Sequence, residues 1–267
     1  MRVIVTRPQQ DAGPWVTALA EAGHDAVALP LLGVGPPPDP ADVVAAWGRM
    51  AAFDAVMFVS GNAVAQFFAL KPAAASAFTA QAAIKTRAFV VGPGSVAALL
   101  RAGAEPAYID APSPQAGQFD SEALWAVVGP RVRPGYRVLL VRGADSAHAA
   151  GAGVGNGAGR DWFANQVLAA GGSVEYVVAY QRRAPALRDS ERALAHQAAQ
   201  DGSVWLFSSS EAIGNLVAAC GSQSWQQARA VATHPRIAQA ARAAGFAVVC
   251  ESRPTLAAVL ASIESLQ

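Results

Sequence analysis

Phe58-Val-Ser-Gly-Asn-Ala-Val64 and Phe207-Ser-Ser-Ser-Glu-Ala-Ile213 are two versions of one phrase. Each closes a short apolar run, Ala55–Val59 or Val204–Phe207, and passes through small residues into an alanine-rich stretch. That is the signature of a strand running into a helix. The likeness extends in both directions. Upstream, Val3-Ile-Val-Thr-Arg-Pro8 matches Val138-Leu-Leu-Val-Arg-Gly143, and a second apolar run follows each, Ala26–Leu31 after Gly23 and Val174–Tyr180 after Gly171-Gly172. Downstream, Val91-Gly-Pro-Gly-Ser95 matches Ala232-Thr-His-Pro-Arg236, and the proline stands ten residues before a glycine in both, Pro93 to Gly103 and Pro235 to Gly245. Four matched blocks in one order indicate an internal duplication.

Strands are expected at Arg2–Thr6, Ala26–Leu31, Ala55–Val59, Ala88–Val91, Arg137–Val141, Val174–Tyr180, Val204–Phe207, Ala230–Ala232 and Phe246–Cys250, with a helix between most neighbours. Alternation of this kind builds parallel sheets covered on both faces, because each parallel crossover needs a helix to return the chain. Two segments depart from it. Gly35-Pro36-Pro37-Pro38-Asp39-Pro40 has too many fixed φ angles and missing N–H groups for a helix or a central strand, and reads as a stiff connection. The glycine-rich stretch 151–159 reads as a flexible loop. It has neither a GK[ST] ending nor a G-x-G-x-x-G register, which speaks against a phosphate cradle.

Composition narrows the function. Hydrophobic residues at 53% against 15% charged give material for real cores, and 267 residues suit one large domain or two small ones. A net charge of +1 without a long basic run excludes a broad nucleic-acid-binding face. Cys220 and Cys250 form no CxxC, and His24, His148, His196 and His234 lack metal-ligand spacing, so neither a disulfide framework nor a metal is expected. The chain opens on a strand-like run, and its longest apolar stretches are broken by Asp54, Asn62 and Gln66. No signal peptide or membrane span is expected, and a cytoplasmic monomer fits these features.

Chemistry is expected where strands end and helices begin, since open α/β sheets bind ligands at the carboxyl ends of their strands. In the first copy these junctions are Thr6-Arg7-Pro8, Ser60-Gly61-Asn62 and Gly92-Pro93-Gly94-Ser95. In the second they are Arg142-Gly143, Ser208-Ser209-Ser210 and Thr233-His234-Pro235-Arg236. Small residues there leave helix N–H groups open, and the helix dipole favours an anion. Each junction read alone is equally an ordinary cap: Ser and Thr are common N-caps, Pro8, Pro93 and Pro235 suit a first helical turn, Tyr180 can be a half-buried strand residue and His234 a solvated turn residue. No triad or metal set stands out, so the joint pattern points to a small anionic ligand held largely by backbone groups.

Thr6-Arg7-Pro8, the Phe58–Val64 block, Val91-Gly-Pro-Gly-Ser-Val-Ala-Ala-Leu99, Val178-Val-Ala-Tyr180-Gln-Arg, Leu206-Phe-Ser-Ser-Ser210 and the Pro235–Gly245 helix together resemble the uroporphyrinogen-III synthase family across nearly the whole chain. The resemblance implies two Rossmann-like or flavodoxin-like parallel-sheet α/β domains joined by a two-stranded β-ladder, with the substrate in the cleft. One discontinuous domain takes residues 1–32 plus 182–267 and the other takes 40–173. Residues 33–39 and 174–181 are the linking segments, with Leu29–Val34 and Val177–Arg183 as the linking strands. The implied reaction is the closure of linear hydroxymethylbilane to uroporphyrinogen III, with loss of water and inversion of ring D, by a cofactor-independent hydro-lyase. The implied partner is that polycarboxylate tetrapyrrole, with at most a transient contact to the enzyme of the preceding step.

The resemblance singles out Tyr180, at the ladder tyrosine of the family, as donor of a hydrogen bond or proton to the leaving hydroxyl, with partial loss expected on its removal. It assigns substrate binding to Thr6, Arg7, Ser60, Gly61, Asn62, Gly92, Gly94, Ser95, Arg142, Gly143, Ser208, Ser209, Ser210, His234 and Arg236. Ser95 keeps the hydroxyl of a family threonine, and Arg7 suits a carboxylate. The sequence departs from the family at His234-Pro235-Arg236-Ile237, where Gly-Pro-Thr-Thr is usual; two hydroxyls are lost and an arginine is gained. Two other readings stand beside this one. A non-catalytic clamp for a tetrapyrrole or other anion would use the same architecture. A nucleotide-sugar or dinucleotide enzyme would need a glycine fingerprint that is missing.

Overall fold

The structure is a computed structural model and describes residues 1–80, 82, 85–144 and 158–266. Its strands form where the chain is apolar on both faces. The first unit opens with β1 (Arg2–Val5), α1 (Gln9–Glu21) and β2 (Asp25–Ala28). The chain then builds a second unit from β3 (Gly33–Gly35), α2 (Pro40–Gly48), β4 (Ala55–Phe58), α3 (Gly61–Ala69), β5 (Arg87–Val90), α4 (Pro93–Arg101), β6 (Ile109–Asp110), α5 (Ser121–Val128), β7 (Arg137–Ala144), α6 (Ala158–Ala169) and β8 (Ser173–Arg183). It returns to the first unit with α7 (Asp189–Ala198), β9 (Val204–Phe207), α8 (Ser210–Cys220), β10 (Arg229–Ala232), α9 (Pro235–Ala243), β11 (Val248–Glu251) and α10 (Leu256–Glu264). Unit 1 comprises Met1–Gly33 and Arg183–Gln267, and unit 2 comprises Val34–Arg182.

The sheet of unit 1 has the order β11-β10-β9-β1-β2, with every pairing parallel. The sheet of unit 2 has the order β3-β8-β7-β4-β5-β6. Apart from the edge strand β3 the two orders superpose, β8-β7-β4-β5-β6 on β2-β1-β9-β10-β11. The first half of each sequence copy therefore aligns with the other copy's first half, yet sits in the unit that holds the other copy's later strands. The strand order reverses between β1 and β9 in unit 1 and between β7 and β4 in unit 2, which are the positions where such sheets open a crevice at their carboxyl ends.

Alternation along each strand fills two layers. In unit 1, Ile4, Trp205 and Phe207 pack on one face with Leu216 and Phe246, while Val3, Val5, Val204 and Leu206 pack on the other with Leu19 and Val259. In unit 2, Val56, Phe58 and Val141 meet Trp47 and Phe67, and Met57, Phe89 and Leu140 meet Leu124 and Phe163. The matched proline–glycine spacing has a physical cause. Pro93 and Pro235 open α4 and α9 where no N–H is needed, and Gly103 and Gly245 follow the C-caps at φ 88° and 95°, a left-handed bend that ends the helix.

The elements differ from expectation in places. β6 is an additional strand, and the expected linking strand Leu29–Val34 forms only at its end, as β3, next to β8 in the sheet. β2 stops at Ala28, although the amides of Leu29 and Leu31 still donate to Val5 and Thr6 carbonyls; Pro30 has no N–H and breaks the ladder. Leu29–Leu32, the first part of the expected Leu29–Val34 strand, thus lies outside the strands. β11 begins at Val248 rather than Phe246, whose ring is buried in the core. The expected link 174–181 lies within β8, which pairs with β7 from Ser173 to Gln181. Pro40 is not part of the stiff connection but opens α2, behind an N-cap Asp39 whose carboxylate accepts from the Ala41 amide at 2.8 Å. Pro8 is the N-cap of α1 and precedes its first turn. Of the glycine-rich stretch 151–159, residues 151–157 lie outside the described residues, while Ala158 and Gly159 begin α6.

Candidate active site

In unit 2 the carboxyl ends of β7, β4 and β5 gather the expected residues. The register slips between Arg142 and Gly143: Arg142 faces Val178, but Gly143 faces Tyr180. This bulge re-aims Tyr180, as bulges do at sheet rims. A Cβ on Gly143 would stand 2.5 Å from Cζ and 2.6 Å from Cε2 of Tyr180, so the bare glycine is the seat of that ring. Tyr180 is 3% exposed. Its hydroxyl lies 3.2 Å from Oγ of Ser60, and either oxygen can donate. Ser60 is the N-cap of α3, where its Oγ accepts from the Ala63 amide at 3.2 Å. Arg142 lies with its guanidinium 4.9 Å from the Tyr176 ring centroid.

Gly61 and Asn62 form the first turn of α3, and Gly92 is the N-cap of α4. An added Cβ on Gly61 would lie 3.4 Å from the Gly94 carbonyl oxygen, so these glycines set two helix N-termini close together. Helix N-termini favour an anion. Ser95 is 6% exposed in the first turn of α4, with its amide bonded to the Gly92 carbonyl. The structure therefore makes Ser95 a packed residue instead of a presented hydroxyl.

In unit 1 the same positions are filled differently. Thr6 is buried, and its Oγ1 donates to the Leu206 carbonyl at 2.8 Å, tying β1 to β9. Arg7 stacks its guanidinium 4.2 Å from the Trp15 ring centroid on α1. Its Nε is buried without a hydrogen-bond partner, and burial lowers its pKa to about 10, an effect that Asp11 partly opposes. Ser208 and Ser209 are half-buried, Ser210 is exposed, and Ser209, the N-cap of α8, makes no side-chain capping bond, unlike Ser60. His234 caps α9: its Nδ1 accepts from the Arg236 amide at 3.1 Å. The histidine thus takes over the cap function at the departure from the family pattern, and it must be unprotonated on Nδ1 to do so. The Arg236 side chain is exposed. Among the described residues no group of three His, Cys, Asp or Glu side chains could hold a metal, and no helix is long and apolar enough to cross a membrane.

Two features escaped the sequence. Trp15 as the platform under Arg7 left no signal beyond an aromatic on the following helix. Gly143 was read as one more open junction; a glycine within a strand run is itself a mark of a bulge or close approach, and that signal was present. Arg7 yields a test. Its guanidinium is disfavoured by burial in the folded state, and below about pH 10 that cost is constant because the group stays protonated. The cost is relieved only as pH rises through the folded value, so no stability change between about pH 5 and 9 stems from it. Arg7→Met is expected to raise stability by about 1 kcal/mol, measured by urea unfolding, while weakening anion binding. A clear loss of stability would mean that the stacking on Trp15 outweighs the desolvation.

A family model described as uroporphyrinogen-III synthase HemD matches residues 13–261. Among solved structures, uroporphyrinogen-III synthetase from Helicobacter pylori 26695 aligns over 100% of this chain and 100% of that one at 15% identity, with a TM-score of 0.57. A mutant uroporphyrinogen III synthase from the extremely thermophilic bacterium Thermus thermophilus aligns over 100% of this chain and 98% of that one at 14% identity, with a TM-score of 0.54. At these identities the two structures speak for the fold. No curated protein matches the chain.

Proposed function

Because the chain belongs to the uroporphyrinogen-III synthase family, we propose that it closes hydroxymethylbilane to uroporphyrinogen III with loss of water and inversion of ring D. The observation that carries the reading is the Tyr180–Ser60 hydroxyl pair at the strand-order reversal of unit 2, seated by Gly143. The leaving hydroxyl departs as water and needs one proton. Ser60 is the less buried partner and stands at the N-terminus of α3. In this reading Ser60, held by Tyr180, donates to the leaving oxygen, and the carbon-bound proton that the substrate loses as the ring closes returns to the pair; Tyr180 thus acts as a positioning residue whose removal slows the reaction without ending it.

The remaining task is selection between isomers. Once water is lost, the activated end of the chain cyclises readily at the free carbon of ring D, and isomer III requires attack by the substituted carbon through a spiro intermediate. The protein contributes mainly by holding the substrate in that geometry. Helix N-termini at Gly61, Asn62, Gly92 and Gly94 and at Ser209 and Ser210, with Arg7, Arg142 and Arg236, supply donors for the substrate carboxylates.

The test is a coupled assay in which hydroxymethylbilane is generated in place and the oxidised products are separated as isomers. Dominant isomer III is expected from the wild-type chain. Tyr180→Phe is expected to lower kcat about ten-fold with KM little changed, the loss of one hydrogen bond to the donor. Isomer I alone from folded protein would overturn the catalytic reading and leave the non-catalytic clamp, which titration with uroporphyrinogen would then examine.

A further inference from the structure

The opposite ends of the unit 2 strands hold a second concave surface. A cavity of about 760 Å³ opens where the chain enters β4, β5 and β7. Asp54 precedes β4 and Ser60 follows it, so this cavity and the Tyr180–Ser60 pair lie at the two ends of one sheet. Its wall carries Lys85, Arg87, Arg131 and Arg133, the Tyr136 ring and, among the described residues, Asp54 as the one carboxylate.

The charges do not cancel. Behind the wall, Asp110 is 6% exposed and its carboxylate is shared by two guanidiniums: Arg87 through Nε and, at 3.0 Å, Nη2, and Arg131 through Nη1 at 2.7 Å. One anion between two cations leaves positive charge, and both guanidiniums retain outward donors. Asp54 is drawn away from the cations, since its Oδ2 accepts from the Arg137 amide at 2.8 Å. Among the described residues, Lys85 and Arg133 are exposed and take part in no ion pair. Tyr136 is half-buried and its hydroxyl makes no hydrogen bond among the described residues. Burial, with Asp54 and Asp110 nearby, pushes its pKa up, so it remains a neutral donor. The wall already shows how it treats an oxyanion: the Asp110 carboxylate is gripped by a guanidinium fork, the geometry that suits carboxylates and phosphates alike.

We propose that this cavity is a second binding site, for a small multiply charged oxyanion, with Arg133, Lys85 and Arg131 supplying charge and Tyr136 a neutral hydrogen bond. Phosphate and polycarboxylate ligands share the recognising chemistry. Calorimetric titration of the full chain with inorganic pyrophosphate, and separately with citrate, distinguishes them by which binds more tightly. Single-site saturable binding is expected for at least one probe. A Lys85→Ala/Arg133→Ala double variant, altered only at exposed side chains, is expected to weaken it about ten-fold or more while its thermal unfolding stays unchanged. Arg236→Ala, which removes an exposed cation from unit 1, is expected to bind within about two-fold of wild type. Failure of both probes to saturate would overturn the proposal. So would a double variant that binds as tightly as wild type, or an Arg236→Ala variant that weakens binding as much as the double variant does.

Discussion

Gly143→Ala is expected to lower turnover more than Tyr180→Phe does, and to destabilise unit 2 by about 1–3 kcal/mol. The new methyl has no open space: its carbon would lie 2.5 Å from the phenolic carbon of Tyr180 and within 3.0 Å of two further ring atoms. The Tyr180 ring is buried, and its neighbours in that core include Val141 and Ala179. The ring must therefore tilt, and the hydroxyl at its tip moves furthest, away from Ser60. Tyr180→Phe deletes one oxygen and leaves the ring in place, whereas Gly143→Ala shifts the whole group. The backbone does not forbid the change, because Gly143 has no positive φ. The two effects separate in a double-mutant cycle: in a Tyr180→Ala background Gly143→Ala should cost little stability, since the ring it strikes is gone. Additive costs would mean that Gly143 matters for some reason other than the ring above it.

Trp205→Ala is expected to destabilise unit 1 by about 3–5 kcal/mol. Trp205 lies in β9 between β1 and β10 and is fully buried. Its ring stacks on Phe207 at 6.0 Å and meets Trp225 edge-on at 5.5 Å, with Phe246 at 6.2 Å. Its Nε1 donates to the Ala198 carbonyl at 3.2 Å, so truncation also strands a buried acceptor. A single unfolding midpoint would blur the outcome, because a protein of two units need not unfold in one step. Hydrogen exchange read by mass spectrometry resolves it. Protection should fall in β1, β9 and β10 and persist in β4, β5 and β7. Equal loss in both sheets would mean that the units unfold together.

Most of the fold was legible because parallel strands buried on both faces are continuous apolar runs. Val3-Ile4-Val5, Ala55–Phe58 and Val204–Phe207 are of that kind, and all are wholly or almost wholly buried. Neither β3 nor β6 was legible from periodicity, and only the resemblance placed a strand near Val34. Gly33-Val34-Gly35 and Ile109-Asp110 are too short for any periodicity, and they are strands only because a neighbouring strand supplies partners. That the expected site residues fall at strand-to-helix junctions was legible as a set, since duplication printed them twice. Their individual states were not. Thr6 and Ser60 look alike as hydroxylated residues after a strand, yet Thr6 is bonded to the backbone of β9, while Ser60 is bonded to a tyrosine 120 residues further along the chain. His234 read as a substrate-binding residue or a solvated turn residue, and its ring nitrogen caps α9. The basic cavity draws on residues near 85 and near 131 that no local pattern connects.

The division of the chain sets an order on its synthesis. Every residue of unit 2 lies between Val34 and Arg182, so that unit has left the ribosome and can close while the last third of the chain is still to be made. β1 and β2 emerge before unit 2 but cannot complete their sheet: β1 is an inner strand, and its second neighbour, β9, begins at Val204. For that interval a wholly apolar Val3-Ile4-Val5 run carries one unsatisfied edge. β1 is thus made long before its second edge can be covered. A nascent chain stalled before Val204 should be the species most exposed to chaperones and to strand-to-strand association.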